Sequence, residues 1–113
     1  MYKLTFYVPE EHLDEIKNAL FSKGAGRIGD YDCCAWQTLG VGQYRPLKGS
    51  HPYVGSQDQI ETVKEYLVEM VCEDQHLHAV IEELMRLHPY EIPAYAAWKI
   101  ELYAKQSIKK IRL

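Results

Sequence analysis

Long apolar runs are missing from this 113-residue chain. None approaches the ~18–20 residues that a bilayer-crossing helix requires. The opening Met1-Tyr2-Lys3-Leu4 passes straight into an alternating pattern, without an apolar signal-peptide core or cleavage site. Cysteine is sparse. Cys33, Cys34 and Cys72 are an odd number without a disulfide-framework spacing, which points to reduced thiols and a cytoplasmic setting. Basic excess is also lacking, since 13 Lys and Arg face 16 Asp and Glu for a net charge of −3. That balance argues against nucleic acid as a partner, as the short apolar runs do against a membrane. Catalytic signatures are absent too: no P-loop, no H-E-x-x-H, no Ser/His/Asp order. Gly24-Ala25-Gly26-Arg27-Ile28-Gly29 matches G-x-G-x-x-G. A helix is predicted before it and a strand after it, the reverse of a dinucleotide site.

What the chain does have is an apolar content of 47%, enough for one core, in a length too short for two ordinary domains. It also has an internal repeat. At an offset of 64 residues, Tyr2, Leu4, Phe6 and Val8 meet Tyr66, Val68, Met70 and Cys72, alternate positions of a strand with one buried face. The same offset then sets Leu13, Ile16 and Leu20 against Leu77, Val80 and Leu84, at helical spacing. Acidic residues open both helices (Glu10-Glu11 and Glu73-Asp74), and Asp74 is suited to cap the second. Gly24-Ala25-Gly26 ends the first helix and Pro89 the second. Strand-like stretches follow at 28–39 and 92–103. Two β-α-β units predict an α+β, ferredoxin-like (β-α-β)2 sandwich, with both helices on one face of an antiparallel sheet. The bare face is expected to hold Tyr7, Leu67, Val71, Tyr95 and Ala97 among Lys3, Thr5 and Glu69. A half-apolar exposed face predicts a homo-oligomer. One domain is expected over 1–103. The basic tail, 104–113, is either a short amphipathic helix on the sheet or a frayed end.

Residues 29–60 have no counterpart in the second half. Within them 31–39 is predicted as a strand, Gly40-Val41-Gly42 as a turn and 43–46 as the antiparallel return, followed by a shaped loop with Gly49, Pro52 and Gly55. Aromatic, arginine and amide side chains are dense here, as in ligand pockets and interface hot spots. The alternative is a long hairpin whose aromatics pack on a neighbouring subunit, and the two are compatible. The candidate ligand-binding residues are Arg27, Tyr31, Trp36, Gln37, Thr38, Gln43, Tyr44, Arg45, Ser50, His88 and Glu91. Arg27 and Arg45 would hold an anionic group, and Trp36 or Tyr44 would stack. His-Pro-Tyr occurs twice, at 51–53 and 88–90. His88 suits a helix C-terminus on electrostatic grounds alone, or else joins Glu91 in a pocket. His51, His88 and Cys33 are the candidate metal ligands, without a diagnostic spacing. Cys33 and Cys34, adjacent on a predicted strand, would face opposite ways, and Cys72 is expected in the core. No catalytic residue and no cofactor is expected.

The run from Gly24 to Tyr31, then Trp36-Gln37-Thr38-Leu39-Gly40, Gly42-Gln43-Tyr44-Arg45-Pro46, Gly49-Ser50 and His88-Pro89-Tyr90-Glu91-Ile92-Pro93-Ala94-Tyr95 resembles the domain inserted in YqfO-type proteins. These belong to the NIF-three-like family, also labelled GTP cyclohydrolase type 2 homologues. The resemblance covers about residues 1–102. The closing His-Pro-Tyr-Glu is also similar to that of CutA, a trimeric PII-like protein associated with divalent cation tolerance. The resemblance implies a PII/CutA-like ferredoxin fold with a long β2–β3 hairpin, assembled as a homotrimer. It also implies that a separate flanking domain carries the larger proteins' dimetal site. No part of these residues corresponds to that domain, so a non-enzymatic regulatory or binding module is expected. A CutA-like divalent-metal protein is the alternative.

Overall fold

The computed structural model describes residues 1–103. Its elements are β1 (Tyr2–Val8), α1 (Glu10–Ser22), β2 (Trp36–Tyr44), β3 (Glu61–Cys72), a 3-10 turn (Asp74–His76) leading into α2 (Leu77–Leu87), and β4 (Tyr95–Lys99). The sheet order is β2-β3-β1-β4, antiparallel throughout. Leu4, Phe6 and Val8 join Val68, Met70 and Cys72 on the face that meets Leu13, Ile16 and Leu20 of α1 and Val80 and Leu84 of α2. This is the expected ferredoxin-like sandwich. Burial pushes the Cys72 thiol up to about 11, with help from the neighbouring Glu73 carboxylate, so this cysteine behaves as a core residue. The tail expectation for 104–113 lies outside the described residues.

The repeat shapes the centre of the sheet. β1 pairs with β3 as Tyr2 with Cys72, Leu4 with Met70, Phe6 with Val68 and Val8 with Tyr66. The repeat equates the same eight residues in the opposite order, so the two halves are related by a pseudo-two-fold across the Thr5–Glu69 pair. Both helices end where expected, α1 just before Gly24-Ala25-Gly26 and α2 just before Pro89.

Elsewhere the backbone departs from the expectations. Asp74 makes no capping bond. Its carboxylate instead pairs with Lys99 Nζ (3.3 Å) and with the Met1 amine. Those two cations hold it below the usual carboxylate range, the amine first. Residues 31–35 are not strand. The loop is tied down by Gly26 N–H donating to Val71 O (2.7 Å) and Cys34 N–H donating to Gly26 O (2.9 Å). Gly26 has φ +81°, and a side chain there would strike the Phe21 ring, so only glycine lets the chain pass. Cys33 takes a left-handed φ of 55°, and the two adjacent cysteines therefore do not alternate across a strand.

Gly40-Val41-Gly42 is not a turn. β2 runs through it, with Gly40 opposite Glu65 and Gly42 opposite Val63. A Cβ on Gly42 would lie 2.2 Å from Glu65 Oε1, so this glycine admits a neighbouring side chain rather than a reversal. The chain returns through β3, not through 43–46, and the β2–β3 hairpin lengthens the molecule to 53 × 23 × 22 Å. β4 is shorter than 92–103, and its register is one residue from expectation. It pairs Phe6 with Tyr95 and Leu4 with Ala97, which puts those two on the helix side, where Ala97 packs on the core. The bare face receives Ala96 and Trp98 instead, since a one-residue shift exchanges the faces of a strand.

Candidate functional site

At the end of the sheet where β1 and β2 finish, the loop after β2 folds back against the α2–β4 turn. The two His-Pro-Tyr copies meet there. The Tyr53 and Tyr90 rings lie 6.0 Å apart, and His12 of α1 sets its ring edge-on to Tyr53 at 6.1 Å. His51 N–H donates to Glu91 Oε1 at 3.1 Å. Between these pieces is a cavity of about 280 Å³, near the lower limit of small-molecule sites. Tyr7, Tyr44, Tyr53 and Tyr90 give it aromatic walls, and Glu65 and Glu91 give it carboxylates. Pro46 and Pro52 stiffen the loop that closes one side.

His88 stands behind this cavity, 7% exposed, and holds two backbone groups. Just past the last β1–β4 pair, Phe6 with Tyr95, Tyr7 N–H donates to Ala94 O (3.3 Å). The Tyr7 carbonyl is taken by His88 Nε2 at 2.6 Å, while Tyr90 N–H donates to His88 Nδ1 at 3.2 Å. That pairing requires a neutral ring with its proton on Nε2. Burial drives the His88 pKa below the usual histidine value, more strongly than the Tyr7 bond and the Glu65 charge raise it. Both nitrogens are thus committed, so the ring serves structure and has no lone pair to offer a metal.

Tyr90 Oη donates to Glu65 Oε2 at 3.1 Å. Burial and the Glu65 charge raise the Tyr90 phenol far above its ordinary range. Burial together with Glu61 and Glu65 raises Tyr44 as well. Both phenols stay protonated under all physiological conditions. A smaller recess of about 230 Å³ on the bare face, beside Gly40, Gly42 and Leu67, shares Tyr7 and Glu65 with the cavity. The cavity therefore adjoins the uncovered side of the sheet.

Gln43, Tyr44, Ser50 and Glu91 line this cavity and His88 backs it. The other expected residues lie elsewhere. Thr38 is on the bare face opposite Leu67, and Trp36 lies on the same face opposite Glu69. Gln37 faces the helices, where Lys17 Nζ donates to its Oε1 at 2.7 Å. Arg27 and Tyr31 share a separate polar recess of about 340 Å³ with Asp30 and Asp32. Arg45 follows β2 and is exposed. The nine residues of β2 lie between Arg27 and Arg45, roughly 30 Å of extended chain. One small ligand cannot touch both within a single copy. Tyr53 and Tyr90 were signalled by the repeated tripeptide, whereas Tyr7 and Glu65 carried no local signal. Among the described residues no three His, Cys, Asp or Glu side chains converge as a metal cluster, and no helix is long and apolar enough to cross a membrane.

Residues 50–110 match the family described as CutA1 divalent ion tolerance protein. The chain belongs to the CutA1 family. It is also similar to longer proteins named GTP cyclohydrolase 1 type 2 homolog. The identity is 44% over 93 residues in Mycobacterium leprae (82% of this chain, 24% of the relative) and 38% over 99 residues in Bacillus subtilis (88% and 26%). The chain spans about a quarter of the length of these relatives. Among solved structures, a Bacillus cereus protein related to NIF3 superposes with TM-score 0.74 at 32% identity, over 86% of this chain and 24% of that one. CutA from Archaeoglobus fulgidus, described as a periplasmic divalent cation tolerance protein, superposes with TM-score 0.67 at 18% identity, over 96% and 92%. The PII-like CutA of Nostoc does so at 0.64 and 16%, over 88% and 81%. These last two likenesses establish the fold. The chain is therefore a CutA-like module, related to one portion of the NIF3-type proteins.

Proposed function

We propose that this chain is a non-enzymatic binding module that works as an assembly of identical copies, a homotrimer, and takes its ligand at clefts between them. The observation that carries the reading is the uncovered sheet. Tyr7, Leu67 and Trp98 lie on the face away from the helices, and Trp98 is 46% exposed. The hairpin also exposes Leu39 and Val41 on its opposite face. Apolar surface on both sides of an edge hairpin is characteristic of a subunit contact. The wide separation of Arg27 from Arg45 fits the same reading, because a second copy can bring one chain's Arg27 recess to another chain's hairpin. An anionic group held by both arginines belongs to such a shared cleft. Three free cysteines accord with a cytoplasmic setting.

Light scattering on the purified chain is expected to give three times the mass of one copy. Leu67→Glu, which adds a charge at the centre of the bare face, is expected to give folded monomers with unchanged circular dichroism. A wild-type chain that stays monomeric at tens of micromolar would sink the proposal.

A second reading is favoured by the family's description: a divalent-metal-binding protein. His51 and Glu91 are adjacent through their backbone-to-carboxylate bond and would need donors from another copy. Titration calorimetry with Cu²⁺ and Zn²⁺ checks it. Affinity tighter than roughly micromolar, weakened by His51→Ala, is the expected result under this reading.

A further inference from the structure

The tyrosine cavity has a chemical bias. Each of its two carboxylates is held through one oxygen, Glu65 through Oε2 by Tyr90 and Glu91 through Oε1 by His51 N–H. Glu65 Oε1 and Glu91 Oε2 accept no hydrogen bond from the described residues. Most of the hydroxyl protons are already committed to the chain itself: Tyr44 Oη donates to Val54 O, Tyr53 Oη to Glu11 (3.5 Å), Tyr90 Oη to Glu65 and Ser50 Oγ to Leu47 O (2.6 Å), which leaves Tyr7 Oη and the Gln43 amide as the neutral donors of the lining. What the carboxylates and the committed hydroxyls leave for a ligand is lone pairs and ring faces. Among the described residues lining the cavity there is no lysine or arginine, and the histidine behind it has no proton to spare.

We propose that this cavity binds a small organic cation, an alkylammonium or guanidinium group on a short apolar body. The inference goes beyond the cleft between copies proposed above: it gives the binding module a second site, within one copy, and names the class of its ligand. Carboxylates give a charged N–H donor its strongest hydrogen bonds. Aromatic faces attract the same charge when it lies within about 6 Å of a ring, and the four tyrosines surround a volume fit for a molecule of several heavy atoms. An anion would meet two carboxylates and, among the four phenols, three that have already spent their protons. A bare divalent ion would gain little from the aromatic walls. The cavity thus differs in charge preference from an arginine-built cleft, and one assembly can hold both.

The test is titration calorimetry on the assembled wild-type protein with benzylammonium and agmatine, against benzyl alcohol, benzoate and Zn²⁺. Light scattering is run on the same samples. Saturable binding of the two cations is expected, with benzyl alcohol and benzoate weaker on the order of tenfold or more, as the loss of a charge-assisted bond implies. Glu65→Gln, nearly the same shape and still an acceptor for Tyr90, is expected to lose about tenfold in cation affinity without changing the assembly. Glu91→Gln, at an exposed position, is a second variant with the same expectation. Equal binding of benzoate overturns the proposal, as does unchanged cation affinity in both variants. Zn²⁺ binding that competes with the cations and is lost with Glu65→Gln overturns it in favour of an inorganic site. If Glu65→Gln breaks the assembly instead, the cavity receives a neighbouring copy's side chain and the proposal falls. A monomer that binds the cations sinks the assembly reading alone, and an assembly that binds none sinks this one alone.

Discussion

Phe6→Ala is expected to lower the unfolding free energy by about 3–5 kcal/mol, a large part of the ~5–15 kcal/mol that a domain possesses. Phe6 is fully buried in the middle of β1, the strand that pairs with both β3 and β4. It sits directly opposite Val68 and Tyr95, in the cluster that both helices cover. Removing the ring withdraws apolar surface from the one place where every layer meets. β1 cannot shift to close the gap, because it is fixed by ladders on both edges. Equilibrium unfolding in urea measures the effect through the transition midpoint. A loss below about 1 kcal/mol would mean that the core can collapse around the vacancy, contrary to this packing.

His88→Ala is expected to destabilise by a comparable amount and to change the response to acid. The ring joins the Tyr7 carbonyl to the Tyr90 N–H. Deleting it leaves two partly buried backbone groups unpaired, at about 1–3 kcal/mol each. The pH response has a definite sign. Burial depresses the folded-state pKa below the ordinary value of about 6.5, so the unfolded chain takes up a proton that the folded chain refuses. This contribution is fully present above about pH 6.5 and is lost as pH falls through the depressed folded value. Glu65 opposes the shift and His12 reinforces it, so both belong in the control set. Wild-type stability should therefore decline from pH 7 towards pH 5, and the slope over that interval should shrink in His88→Ala. An unchanged slope would show that other groups govern the acid response.

The duplicated parts of the fold were legible because they repeat. Leu4, Phe6 and Val8 announce their burial by alternation, and Leu13, Ile16 and Leu20 by helical spacing. The offset that links them to the second half gives no pairing by itself: it equates Tyr2 with Tyr66, whereas the ladder sets Tyr2 against Cys72. Gly40-Val41-Gly42 was not legible, because glycine marks both turns and close approaches. What decides between them here is the Glu65 side chain on the next strand. Tyr95 and Ala97 show the same limit: β4's register follows from its partner, and a single residue reverses its faces. The cavity was half legible. Tyr44 and Ser50 stand in a segment dense with aromatic and polar groups, Glu91 directly follows the second His-Pro-Tyr, and the doubled tripeptide drew attention to both loops. Glu65 and Tyr7 sit in ordinary strands, and only the long-range ladder carries them to the cavity.

One backbone contact bears on how such a unit is carried in nature. Ile100 N–H donates to Met1 O at 3.1 Å, and Tyr2 pairs with Lys99, so the two flanks of the fold emerge side by side from neighbouring strands. A domain with adjacent flanks can be spliced into a surface loop of a host protein without prising the host apart. The relatives named above are about four times as long as the portion that this chain matches. The same fold can then be carried as cargo within a larger chain, its hairpin and tyrosine cavity projecting away from the host.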